Sequence, residues 1–125
     1  MTGKVVDASA VVALLFDEPA RDEVVPRLRD ASLHAPSLIA FEAANACVKK
    51  MRARPTEGKA LIDAFSFFDE LAIAQEPVDL SEAIVLAERT GLSLHDAAYL
   101  WLARALGVEL VTLDARVASV NQALR

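Results

Sequence analysis

Four acidic residues stand where short apolar runs give way to helix-forming ones. Asp7 follows Lys4-Val5-Val6, and Asp114 follows the run Val108 to Leu113. Asp96 comes just after Ser93, and Glu42 lies a few residues beyond Pro36-Ser37. A carboxylate closing an apolar strand is expensive to bury unless something uses it. If all four share one crevice, each pair of charges about 4 Å apart repels by roughly 4 kcal/mol at an effective dielectric near 20. Several such pairs rival the whole stability of a domain, about 5–15 kcal/mol. Such a cluster must take up protons or bind a cation. Oxygen ligands alone favour a hard divalent ion, Mg2+ or Mn2+, and no cysteine–histidine cluster in the sequence suggests zinc. A carboxylate-held Mg2+ suits phosphodiester hydrolysis.

Each acid also has a plain structural role open to it. Asp7 and Asp114 read equally as N-caps of the helices that follow them. Ser93-Leu94-His95-Asp96 reads as a capping box, and Glu42 as an exposed helix residue. Taken one at a time, that plain role is the better explanation. Their joint placement near helix N-termini shifts the balance.

The elements that must position these acids follow from apolar periodicity and punctuation. Strands are expected at Lys4–Val6, Leu33–Ala35, Ile73–Val78 and, most clearly, Val108–Leu113. Helices are expected over Ala8–Phe16, Ala20–Arg29 (with Pro26 inside it), Ser37 to about Arg54, Glu57–Leu71, a stretch ending at Thr90, Ser93–Leu106 and Ala115–Leu124. Ser37 is the expected cap of the long helix, Asp79 or Ser81 that of the fifth, and Ser93 that of the sixth. Gly91 and Gly107 suit the positions just past two helix ends. The alternation implies an α/β fold, three layers deep, with a short, mostly parallel central sheet covered by helices on both faces. In such folds ligands bind in the crevice beyond the carboxyl ends of the strands, which is where the acids fall.

Composition sets the outer bounds. The 125 residues are expected to form one domain, 1–125, able to bury a core without staples. Apolar residues make up 54%, which leaves room for a sticky face used in self-association. The lone Cys47 reads as a small buried hydrophobe in a reducing compartment. The segment from Met1 to Phe16 is interrupted by Asp7 and leads to Asp17-Glu18-Pro19, unlike a signal peptide with its small-residue cleavage site. No apolar run approaches membrane-spanning length, so a cytoplasmic protein is expected. The net charge of −5 argues against a nucleic-acid ligand, unless the acidic excess is gathered at a metal site.

The sequence resembles the PIN-domain family and, within it, the VapC-type toxins of bacterial toxin–antitoxin modules. The resemblance lies in Val5-Val6-Asp7-Ala8-Ser9, in Ala35-Pro36-Ser37 leading to Glu42-Ala43-Ala44-Asn45, in Asp96-Ala97-Ala98-Tyr99-Leu100, and in Leu110-Val111-Thr112-Leu113-Asp114. No single motif is specific, but their order and spacing match over nearly the whole chain. The resemblance implies an endoribonuclease using Mg2+ or Mn2+ at Asp7, Glu42, Asp96 and Asp114, held silent by a cognate antitoxin and expected as a homodimer. It makes Ser9 and Thr112 supporting hydroxyls and Asn45 a polar neighbour of Glu42. Some relatives carry a further acid after the last Asp. Here Ala115-Arg116-Val117 follow, so a second metal is expected to bind weakly or not at all.

Lys49 and Arg52, two helical turns beyond Glu42 and Asn45, are candidate contacts to the RNA backbone. His95 is expected at a partly exposed helix start, and His34 as structural. Tyr99 and Trp101 have the ring systems for base stacking, but their helical spacing with Leu100 and Leu102 favours packing. A phospho-receiver domain would carry paired acids after the first strand and a lysine after the last; neither is present. A haloacid-dehalogenase-like phosphatase would place a second Asp where Ser9 stands. A PIN fold that binds RNA or protein without cleaving is separated from the nuclease only by metal-dependent cleavage.

Overall fold

The computed structural model describes residues 2–124. Its elements follow in the order β1 (Thr2–Val6), α1 (Ala8–Leu15), α2 (Arg21–Leu28), β2 (Ala31–Pro36), α3 (Leu38–Ala53), α4 (Gly58–Phe65), β3 (Ala74–Glu76), α5 (Leu80–Thr90), α6 (Leu94–Leu106), β4 (Glu109–Val111) and α7 (Ala115–Ala123). Short 3-10 turns at Pro55–Glu57 and Phe68–Leu71 flank α4.

The four strands form one sheet in the order β3-β2-β1-β4, and every pairing is parallel. Lys4, Val5 and Val6 pair with Glu109, Leu110 and Val111, so the carboxyl ends of β1 and β4 lie level with each other. The connections run outward from β1 to β2 and β3, then return to the other side of β1 with β4. The switch point of the sheet therefore lies between β1 and β4, where Asp7 and Asp114 emerge. Val5, Val6, Leu110 and Val111 are buried, as parallel strands covered on both faces require. The α6 helix supplies the largest share of the covering, burying Ala97, Ala98, Tyr99, Leu100, Leu102 and Ala103 against the sheet. The structure thus has the expected three α/β/α layers.

Local chemistry explains most boundaries. Asp7, Asp79, Ser93 and Asp114 each cap a helix through the side chain. Asp79, rather than Ser81, caps α5. Gly91 (φ 75°) and Gly107 (φ 68°) end α5 and α6 in the left-handed region, where a side chain would be strained. Cys47 is buried, as expected.

Four expectations need correction. Ser37 does not cap α3: its backbone is already helical (φ −59°, ψ −22°), whereas a capping residue is extended, and its hydroxyl makes no cap bond. The helix expected over Glu57–Leu71 is broken. After α4 the chain turns at Ser66, whose hydroxyl bonds the Asp63 carbonyl, and this lets Phe68 enter the core stacked on Phe65 with ring centroids 5.9 Å apart. Strand β3 is shorter than Ile73–Val78. Strand β4 is shorter than Val108–Leu113, because Thr112 and Leu113 leave the ladder to bond side chains at the end of β1. The weak second helix does form, with exposed Pro26 inside its last turns.

Candidate active site

Asp7 is 5% exposed and fully engaged. The Ser9 hydroxyl donates to its Oδ1 at 2.6 Å, the Ala10 N–H donates to the same oxygen at 3.2 Å, and the Thr112 hydroxyl donates to Oδ2. Each hydroxyl also accepts a backbone N–H, that of Ser9 from across the switch point and that of Thr112 from two residues along its own chain segment. Leu113 N–H reaches Ser9 Oγ at 2.9 Å, and Asp114 N–H reaches Thr112 Oγ1 at 3.0 Å. With Asp7 N–H on the Val111 carbonyl at 3.2 Å, the ends of β1 and β4 are stitched together around one carboxylate. Ser9 and Thr112 therefore stand beside the acid that they were expected to support.

Glu42 projects from the first turns of α3. Its Oε1 accepts from the Tyr99 hydroxyl at 2.6 Å, which joins α3 to α6. Asp96 lies half-buried in the first turn of α6, its N–H held by Ser93 Oγ at 3.1 Å. The charges of these three acids act on one another. Burial, first of all, pushes the Asp7 carboxyl above its ordinary range, and the charge of Asp96 adds to this against the hydrogen bonds from Ser9, Thr112 and Ala10. Burial also raises Glu42, against the hydrogen bond from Tyr99 and the charge of His95, and with further upward pressure from Asp96 and Asp7. The Tyr99 phenol is pushed far up by burial and by Glu42, so it stays a neutral donor.

Asp114 stands apart. It emerges at the same end of the sheet but is exposed, and its Oδ1 accepts from the N–H groups of Arg116 (2.9 Å) and Val117 (3.1 Å) at the start of α7. His95 is exposed at the start of α6. His34 is structural, bonded to Ser32 at 3.3 Å and Glu76 at 3.0 Å. Trp101 packs against the core and donates to Glu82 at 2.8 Å. Sequence reasoning missed the bond from Tyr99 to Glu42. The only signal was a tyrosine one helical turn beyond Asp96.

Beside the acids opens a cavity of about 440 Å3 lined by Ala8, Ser9, Val12 and Glu18 on one side and by Glu42, Asn45, Ala46 and Lys49 on the other, with Leu113 between. Lys49 thus shares a wall with Glu42, while Arg52 is exposed further along α3 and outside this lining. Among the described residues, no three His, Cys, Asp or Glu side chains converge tightly enough to hold a metal ion unaided. The donors are nevertheless all oxygen. Mg2+ usually keeps several waters and takes only one or two carboxylates directly, so this open set fits such an ion.

The fold and the crevice define an α/β/α domain that gathers carboxylates at the switch point of a parallel sheet. The sequence profile of the PIN domain matches residues 4–122, and the chain belongs to that family. It is 34% identical to a protein named ribonuclease VapC3 from Pyrobaculum aerophilum, covering 96% of this chain and 95% of that one. It is 32% identical to ribonuclease VapC12 of Mycobacterium tuberculosis (91% and 88%) and 31% identical to ribonuclease VapC9 of the same species (95% and 91%). The crystal structure of PAE2754 from Pyrobaculum aerophilum superposes with a TM-score of 0.72 at 26% identity, covering 95% of this chain and 86% of that one. Membership of this family sets aside the receiver and phosphatase readings.

Proposed function

We propose that the protein is a Mg2+- or Mn2+-dependent endoribonuclease, the toxin of a toxin–antitoxin pair. The observation that carries this reading is the group Asp7, Glu42 and Asp96. These acids come from three separate elements, act on one another electrostatically at the switch point, and Asp7 and Glu42 both have raised proton affinity. A cation relieves that crowding. The names of the VapC relatives supply the substrate class.

In this reading Asp7, Glu42 and Asp96 would hold the ion, in part through its waters, and Asp114 would join them from the same end of the sheet. The ion supplies the positive charge that eases proton loss from an attacking water and steadies the leaving oxygen. Ser9 and Thr112 fix the orientation of Asp7. Tyr99 holds Glu42 while remaining protonated. Lys49 and Arg52, on the same helix as Glu42, position the RNA backbone. The protein acts in the cytoplasm; among the described residues no helix is long and apolar enough to cross a membrane. Exposed Ile84 and Val85 on α5, with Leu94 at the start of α6, offer the apolar surface for a homodimer.

The test is cleavage of structured RNAs by purified protein with and without Mg2+ or Mn2+, with the ends mapped. Metal-dependent internal cuts that Asp96→Asn abolishes are the expected result. RNA binding without metal-dependent cleavage would establish a PIN fold that only binds.

A further inference from the structure

We propose that the cavity between α1 and α3 is a base-reading subsite that takes one unstacked purine of the RNA strand beside the scissile phosphate. This inference rests on the ribonuclease reading above and adds its specificity.

The cavity opens directly off the carboxylate group, because Ser9 and Glu42 line both. Its volume of about 440 Å3 leaves ample room for a nucleobase. Its walls are of two kinds. Ala8, Val12, Ala46 and Leu113 are aliphatic and mostly small, giving flat surface against which a base can lie. Glu42, Asn45, Ala46 and Lys49 are spaced i, i+3, i+4, i+7, so they form one stripe along α3. At 1.5 Å rise per residue, Lys49 falls about 10 Å from Glu42, with Asn45 between them. The stripe therefore runs from the acids, through a carboxamide, to an ammonium group.

The chemistry of that stripe selects the occupant. Asn45 and Lys49 are both exposed, and among the described residues neither is paired. The ion pair in this wall belongs to the next residue, Lys50, which reaches Glu18 at 2.9 Å and lies over the Phe16 ring. The ammonium group of Lys50 thus offsets the charge of Glu18 at this wall. What remains free is the ammonium group of Lys49, a donor, and the carboxamide of Asn45, which both donates and accepts. Lysine pairs with O6 and N7 of guanine, and asparagine with N6 and N7 of adenine. N7 is common to both purines, and the corresponding position of a pyrimidine offers only a C–H. On the edge away from the sugar a purine offers N7 beside its exocyclic group, whereas a pyrimidine offers the exocyclic group alone, so a purine meets both side chains and a pyrimidine only one. RNA nucleases that act on single strands can receive such a base splayed from its neighbours.

The experiment uses single-stranded RNAs identical except at one scanned position, carrying A, G, C, U or an abasic ribose. With Mn2+ the wild type should cut about tenfold faster when a purine occupies one fixed position relative to the cut, and an abasic ribose should slow it as a pyrimidine does. Ala46→Leu, which fills the cavity, and Asn45→Ala should each bring the purine-to-pyrimidine ratio close to one. Lys49→Gln, at an exposed position, gives the same readout if either of those variants fails to fold. Fluorescence anisotropy of purine and pyrimidine RNAs with chelator present should rank the same way. Robust wild-type cleavage with no base preference at any position would overturn the subsite and leave the nuclease standing. Purine-selective binding with no cleavage would support the subsite and overturn the nuclease. Purine preference that survives folded Ala46→Leu places the reader elsewhere and overturns the inference.

Discussion

Asp7 and Asp114 are the same residue in the same local setting. Each follows an apolar strand, Asp7 at once and Asp114 after Thr112 and Leu113, the two strands are neighbours in one sheet, and each caps the helix that follows. Their surroundings differ completely. Asp7 is buried, with hydroxyl groups on both oxygens, and that burial, helped by the charge of Asp96, raises its proton affinity. Asp114 is exposed, with one oxygen on two backbone N–H groups of α7. The difference comes from what lies opposite. Asp7 faces the α3 and α6 ends across the crevice, while Asp114 turns along its own helix. One carboxylate is therefore built into a buried hydrogen-bonded group, and the other chiefly into a helix start.

The sharpest way to break this contrast is a pair of substitutions. Asp7→Asn should reduce RNA cleavage on the order of a hundredfold, about 2.7 kcal/mol of barrier. Asp114→Asn should reduce cleavage only about tenfold, and Asp114→Ala should lower stability by about 1 kcal/mol through the lost cap. Initial rates and thermal melts of the variants decide it. Equal loss of activity at both positions would mean that Asp114 shares the ion on equal terms.

A smaller effect isolates the clamp itself. Thr112→Val keeps the shape of the side chain but removes the donor to Asp7 and the acceptor for the Asp114 N–H. It should destabilise the fold by about 1–3 kcal/mol, as for buried polar groups left unmatched. Denaturant titration measures this directly. A variant as stable as wild type would show that the stitching between β1 and β4 contributes little.

The smallest effect is a slope. Asp7 and Glu42 bind protons more tightly in the folded chain, burial being the first cause for each. A raised folded-state pKa gives stability that is full below the unfolded value, about 4, and that is lost as pH rises through the folded value. Metal-free protein should therefore melt lower at about pH 7.5 than at about pH 5. Saturating Mg2+ or Mn2+ should restore the difference by mass action, and Asp7→Asn should flatten it. Melts in chelator that show no such slope in the wild type would mean that these acids are not crowded.

Local signals made much of this legible before the structure. Asp7, Asp79 and Ser93 cap through side chains only a few residues from the groups they serve, and Gly91 and Gly107 need only their own backbone angles. The four acids fall at element junctions for the same reason. The direction of Asp114, the end of β4 at Val111 and the break after Phe65 depend on partners distant in sequence. Thr112 leaves its strand because Asp7 waits across the sheet, and Phe68 leaves its helix because the core has room for it. Tyr99 and Glu42 lie 57 residues apart, and nothing local announces that a core tyrosine will hold an acid.

The bond from Thr112 to Asp7 spans 105 positions of the chain, nearly all of it. A ribosome makes Asp7 long before Thr112. At about 5–20 residues per second, roughly 5–20 seconds separate them during synthesis. Throughout that interval the first strand has no β4 beside it and its aspartate has no threonine donor. A nascent or truncated chain therefore lacks an oriented Asp7, whatever part of the helical shell has already formed. The order of the strands thus acts as a clock: the setting of Asp7 matures only after β4, the last of the four strands, has been made.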